Sequence, residues 1–312
     1  MNLCVVLQNY RRLENVRANI VIVGISGAVL ANTRALSLLW LTLGVVAAVL
    51  IFGIKPIIAA LKNRVGLAMT VLVGLGCAAS LAWLVVGNSF GSLTGTPSNV
   101  TPDQAFVTML DRTFDYASGY VGIMGWLDTP APAAVDAFWY FAFAAIILGG
   151  LTARPLRARP VVWILLVAVL ILPPILQAQV IQQIGYIWQA RYLLALFVLL
   201  LLACGIAMRM RPTPTGPWGL SLSRWLLAGA VGVHVYLFVS VLRRFTIGVQ
   251  SRTNWTEMFD PSWQPPLSWQ GLTIAYLLVL IAGAVIAHRT LFPRATLSRR
   301  NVEHSETDLA VA

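Results

Sequence analysis

Eight times along the chain, a run of apolar side chains continues without a single Asp, Glu, Lys or Arg, and small basic groups stand between alternate runs. The runs lie near residues 20–33, 35–54, 65–86, 137–151, 161–177, 192–208, 225–242 and 271–288. An α-helix rises 1.5 Å per residue, so about 20 apolar residues cross the ~30 Å hydrocarbon core of a bilayer. The expectation is an all-α, polytopic membrane helix bundle of about eight transmembrane helices. Composition agrees: 58% of the residues are hydrophobic, 11% are charged and the mean hydropathy is +0.79, whereas a soluble domain is typically about 25% charged. Residues 1–300 read as a single transmembrane domain, with no solenoid repeat and no cytoplasmic loop long enough to be a domain.

The net charge of +11 does not point to nucleic acid, because the basic residues are scattered between apolar runs instead of gathered in a patch. Their positions orient the chain. Arg11, Arg12 and Arg17; Lys55, Lys62 and Arg64; Arg154, Arg157 and Arg159; Arg209, Arg211 and Arg224; and Arg289, Arg294, Arg299 and Arg300 fall between alternate runs. The positive-inside rule puts these segments, and both termini, in the cytoplasm of a multi-pass protein of the cell membrane. The remaining loops carry most of the acids. The first residues lack the basic-then-apolar pattern of a signal peptide, so membrane entry rests on the spans. Residues 301–312 read as a disordered cytoplasmic tail. The three cysteines lack metal-ligand spacing, and Cys77 and Cys204 read as small core residues.

The outer loop 87–136 is the most informative. In TPDQAFVTML, Thr101 and Gln104 have capping-box spacing, Pro102 suits the first helical turn and Asp103 suits the positive dipole end. Phe106, Met109, Leu110, Phe114 and Ala117 then recur at helical spacing. An amphipathic helix over 102–118 follows, lying along the outer surface or capping the bundle. Asp111 and Asp115, one turn apart, form either a solvated face balanced by Arg112 or a pair of oxygen ligands for a divalent cation. No cofactor is evident and no metal site is assigned. Asp128, in GWLD, either caps a turn or faces a substrate cavity as an acid.

Pro173 and Pro174 each lack an amide donor, so the fifth span is expected to break near its outer end. Beyond it come Gln177, Gln179, Gln182, Gln183 and Gln189, then Arg191. Arg191 and Arg34, both on the outer side, either snorkel to lipid head groups or fork onto phosphate oxygens. With the glutamines they would suit a sugar phosphate or a lipid phosphate. His234 reads as an interhelical hydrogen bonder or a proton relay, and Trp255, Trp263 and Trp269 as an interfacial belt or a sugar-stacking platform.

Three stretches, GISGAVLANTRALSLLWL, GYVGIMGWLDTPAP and GYIWQARYLLAL, resemble the bacterial membrane proteins grouped as domain of unknown function 2142. The matching positions are Arg34, Gly125 to Asp128 including Trp126, and Arg191 with Tyr192; Ala190 and Ala195 depart from the Gly and Pro expected there. That family is similar in layout to GT-C glycosyltransferases, which move a sugar from a polyprenyl-phosphate carrier on the outer face. The resemblance implies a sugar transferase acting on a cell-envelope glycan, or its carboxyl-terminal membrane portion. Its partners would be membrane lipids and a polyprenyl-phosphate-linked sugar, with no nucleic acid. Arg34, Arg191, Tyr192, Gln183, Gln189 and Trp126 would bind the carrier, and Asp111, Asp115 or Asp128 would act as the acid or base. The first outer connection is only Asn32, Thr33 and Arg34, so the chain matches the later portion of the family and the catalytic first outer loop is expected to be missing from it. A lipid or polysaccharide flippase and a non-catalytic assembly partner are the other readings.

Overall fold

A computed structural model describes residues 16–34, 36–87, 96–125, 127–153, 158–209, 217–248, 255–261 and 263–291. Trp126, the tail 301–312 and the orienting residues Arg11, Arg12, Arg154, Arg157, Arg211, Arg294, Arg299 and Arg300 lie outside them. The protein is an all-α membrane helix bundle. Its helices are α1 (Val16–Ala31), α2 (Ser37–Phe52), α3 (Lys55–Leu61), α4 (Arg64–Val86), α5 (Pro102–Asp111), α6 (Ser118–Val121), α7 (Ala133–Leu151), α8 (Ala158–Ile184), α9 (Leu194–Arg209), α10 (Pro217–Ile247) and α11 (Ser268–Leu291).

Five helical segments, Arg64–Val86, Ala133–Leu151, Ala158–Ile184, Arg224–Ile247 and Ser268–Arg289, are long and apolar enough to cross a membrane. A sixth candidate is the pair α2 and α3, bent by 116° at Gly53, whose φ of 81° favours a residue without Cβ. The other two expected spans are the apolar helices Val16–Ala31 and Leu194–Met208. At 16 residues, α1 is about 24 Å long, shorter than the hydrocarbon core.

The chain divides into two compact units, one of residues 1–122 and 139–213 and the other of residues 123–138 and 214–312. In the first, α8 is the most buried spanning helix. Val161, Val162, Leu165 and Val169 on it pack with Trp40, Ala47 and Ile51 of α2 and with Leu196, Leu200, Ala203 and Cys204 of α9. Small residues set the α1–α4 contact, because a Cβ on Gly24 would lie 2.6 Å from Met69 Cβ, and close backbone approach is what holds helices together in lipid. Asn32 Nδ2 closes that pair by donating to Ala28 O at 2.9 Å and Gly76 O at 3.1 Å.

Two expectations are corrected. Helix α8 does not break at Pro173 and Pro174; it runs on to Ile184, with both prolines inside it and buried. Two helical amide bonds are absent by chemistry, but neighbouring helices enclose the rings and the helix continues, as spanning helices permit. At 27 residues it is about 40 Å long, so one end outreaches the hydrocarbon core. Against α8 packs α5, burying Ala105 and Met109, which is the bundle-capping alternative.

The second correction is to the amphipathic helix, which stops at Asp111 instead of 118. Residues 112–117 follow as turns with hydrogen bonds three residues apart, among them Asp115 N to Arg112 O and Ala117 N to Phe114 O, both 3.0 Å. Thr113, Phe114, Asp115 and Tyr116 are weak helix formers, and Phe114 is 86% exposed. The capping contact holds: the Thr101 amide donates to Gln104 Oε1 at 3.3 Å. The Thr101 side chain and the helix-start amides hold the Asp103 carboxyl below its ordinary value.

The second unit contains a hairpin of β1 (Ile123–Met124) and β2 (Thr129–Pro130), antiparallel with Ile123 opposite Pro130. It also contains the first residues of α7, helices α10 and α11, and a 3₁₀ turn at Trp255–Phe259. Phe238 of α10 stacks on Tyr276 of α11 at 4.2 Å, and Trp269 Nε1 donates to Met258 O at 2.7 Å.

Candidate functional site

The segment between α8 and α9 reverses direction around one glutamine. Gln177 sits inside α8 and is 1% exposed, where an unpaired amide would cost several kcal/mol. Its Nε2 donates to Gly185 O at 2.8 Å and its Oε1 accepts from Ile187 N at 3.3 Å, so both ends of the amide are used on backbone. Gly185 takes φ 67°, and a Cβ there would meet Thr96 O at 2.6 Å. This clamp fixes the start of the 3₁₀ turn Ala190–Tyr192, which α6 supports: a Cβ on Gly119 would lie 2.6 Å from Ala190 Cβ. Next to it, Tyr120 stacks on Phe197 with centroids 4.4 Å apart, and burial pushes its phenol up to about 12.

The turn presents Arg191 and Tyr192, and the α1–α2 connection brings Arg34 to the same ring. Arg34 Cζ and Arg191 Cζ are each 5.8 Å from the Tyr192 centroid, so the two guanidinium carbons lie within twice that distance of one another. Both side chains are exposed. Among the described residues neither has a carboxylate partner. The α1–α2 turn is itself held by Thr33 Oγ1, 2.7 Å from Ser37 Oγ, and by Ser37 N donating to Arg34 O at 3.0 Å. Trp188 meets Tyr192 edge to face at 5.9 Å. Gln189 Oε1 is buried without a hydrogen bond, while Gln183 is exposed on α8. Two guanidinium groups beside one aromatic ring offer planar, charged donors of the kind that suits an oxyanion.

The aspartates belong to other elements. Asp111 ends α5 and Asp115 lies in the turns beyond it; both are exposed, and the single helical face expected for them is interrupted. Among the described residues no three His, Cys, Asp or Glu side chains gather to share an ion. Asp128 belongs to the second unit, at the end of the GWLD hairpin loop, and forms a bidentate ion pair with Arg244 of α10. Arg244 Nε donates to Oδ1 at 2.9 Å, Nη2 donates to Oδ2, and Thr129 Oγ1 donates to Oδ1 at 3.0 Å. The bonded guanidinium, with a smaller share from Thr129, pulls the Asp128 carboxyl down to about 2. Gly125, at φ 65°, makes room: a Cβ there would lie 2.4 Å from Asp128 Oδ1.

Arg244 was not among the residues singled out from sequence. The signal for it was a pair of adjacent arginines closing a span on the acid-rich side, but 116 residues separate it from its partner. In the seventh apolar run, His234 Nδ1 lies 2.8 Å from Ala230 O of its own helix. Trp255 carries the Arg243 guanidinium at 4.8 Å and stacks on Tyr236 at 6.5 Å.

Helices of this length and apolarity define a multi-pass membrane protein. The chain belongs to the family described as "Predicted membrane protein (DUF2142)", whose model matches residues 1–202. That match takes in Arg34, the GWLD loop, Arg191 and Tyr192; Arg244 lies beyond it. No curated protein and no solved structure matches the chain.

Proposed function

We propose that this membrane protein holds the phosphate of a polyprenyl-phosphate-linked sugar between Arg34 and Arg191 on the outer face. It would serve in sugar transfer to a cell-envelope glycan, as a GT-C-like glycosyltransferase or its carboxyl-terminal membrane portion. The observation that carries this reading is the convergence on the Tyr192 ring of two exposed guanidinium groups that have no carboxylate partner among the described residues. Arg offers a planar fork matched to phosphate oxygens, and each charge-assisted hydrogen bond is worth about 1.5–3 kcal/mol.

In the transfer, an acceptor hydroxyl oxygen bonds to the anomeric carbon while that carbon's bond to the phosphate oxygen breaks. The carrier leaves as polyprenyl phosphate with an added negative charge, and the hydroxyl proton passes to a carboxylate. Arg34 and Arg191 would stabilise the charge that develops on the phosphate. Gln189 and Gln183 would meet sugar hydroxyls, with Tyr192 as a ring surface; Trp126, the other ring expected there, lies outside the described residues. Asp111 and Asp115 are exposed carboxylates of the first unit that could take the proton, whereas Asp128 is neutralised by Arg244.

That neutralised acid favours a second reading, a non-catalytic membrane partner that binds the carrier without turning it over. The flippase reading drew on a broken fifth span, and a continuous α8 takes that support away.

The test is the affinity of the purified protein for a polyprenyl phosphate, read by native mass spectrometry. Arg34→Ala and Arg191→Ala should each weaken binding roughly 10- to 100-fold. Arg191→Lys should recover only part of the loss, since a point charge replaces a fork. Unchanged affinity in both alanine variants would remove the site.

A further inference from the structure

In the second unit, α10 and α11 leave a groove of about 700 Å³ between them, within the ~300–1,000 Å³ range of ligand clefts. Its geometry is ordered along the helices. At one end stand Arg224, His288 and Arg289, with Arg224 Nε donating to His288 Nε2 at 3.2 Å. Two helical turns further in, about 10 Å, Val231 of α10 and Ile281 of α11 line an uncharged end. Between them Ala228 and Ala284 stop at a methyl group, which leaves the slot between the helices unfilled.

Charge and depth both indicate the occupant. Arg224 and Arg289 are exposed, and among the described residues neither pairs with a carboxylate. Trp225, next to Arg224, is 74% exposed, and exposed tryptophans at the ends of spanning helices sit at head-group level. A cationic cluster at that level, continuous with an apolar slot running toward the membrane interior, is complementary to a phosphate bearing acyl chains. Basic pockets between spanning helices hold anionic head groups in this way.

We propose that the α10–α11 groove is a binding site for an anionic phospholipid, its phosphate held by Arg224 and Arg289 and one acyl chain lying over Ala228 and Ala284. The groove shares no lining residue with the Arg34 and Arg191 cluster, and lipid binding there does not depend on any transfer reaction.

The full chain, purified in neutral detergent, is given an equimolar mixture of phosphatidylcholine and phosphatidylglycerol, and retained lipid is counted by native mass spectrometry. Phosphatidylglycerol should be retained over phosphatidylcholine. Arg224→Gln and Arg289→Gln should each lower its retention roughly fivefold. Filling the slot with Ala228→Leu and Ala284→Leu together should lower retention of both lipids while the charges remain. Arg64→Gln, which removes a basic residue at another helix end, should change nothing. Equal retention of the two lipids, indifference to both glutamine variants, or an equal loss with Arg64→Gln overturns the proposal. If Arg224→Gln unfolds through loss of its His288 contact, Arg289→Gln carries the test alone.

Discussion

Asp128 and Arg244 illustrate how much one residue's role depends on a partner that sequence distance hides. Read along the chain, Asp128 is a loop acid after a glycine-rich run, and capping or catalysis are both open. Folded, it is half of a two-pronged ion pair, with Gly125 supplying the space. The folded carboxyl titrates near 2, below an unfolded value of about 3.9. The pair's contribution is therefore complete above the unfolded value and is lost as pH falls toward the folded one. The melting temperature of the parent should drop more steeply from pH 4 to pH 2 than that of Asp128→Asn; parallel curves would refute the pairing. Gly125→Ala should destabilise at neutral pH by about 1 kcal/mol or more, because alanine resists a positive φ and its Cβ would displace the carboxylate.

Element by element, the cues that held were local ones. The Thr101–Gln104 cap starts α5 as its spacing predicts, because a cap is chemistry within four residues. Where α5 stops, and whether α8 survives two prolines, is decided by what packs on them. Gln177 makes the same point in reverse. From sequence it joins a glutamine-rich stretch suited to sugar hydroxyls, yet its amide is spent on Gly185 and Ile187. Gln177→Leu should cost about 1–3 kcal/mol for each backbone group it leaves unpaired, read as a lower melting temperature. It should also weaken polyprenyl phosphate binding without touching the ligand, since the turn bearing Arg191 would lose its anchor. Full binding by a destabilised Gln177→Leu protein would detach the clamp from the site.

At the scale of the whole molecule, apolar runs and basic connections imply an ordered traverse of the membrane, and this is open to labelling. In a variant without its natural cysteines, Arg112→Cys should react with a membrane-impermeant maleimide added outside intact cells, and Asn63→Cys should react only after permeabilisation. The reverse pattern would invert the topology. Membrane residence, the all-helical class and the positions of the apolar runs were determined by the sequence alone. Lipid demands helices that satisfy their own backbone, and about 20 apolar residues in a row announce one. Arg34 and Arg191 read as outer-face arginines from the basic connections, an expectation that the labelling experiment tests. Only the tertiary structure decided that they meet at Tyr192, that Asp128 answers to Arg244 and that α10 and α11 leave a charged-ended groove. Each of those pairs residues far apart in the chain, and such contacts are set by packing between helices, which no local pattern of residues encodes.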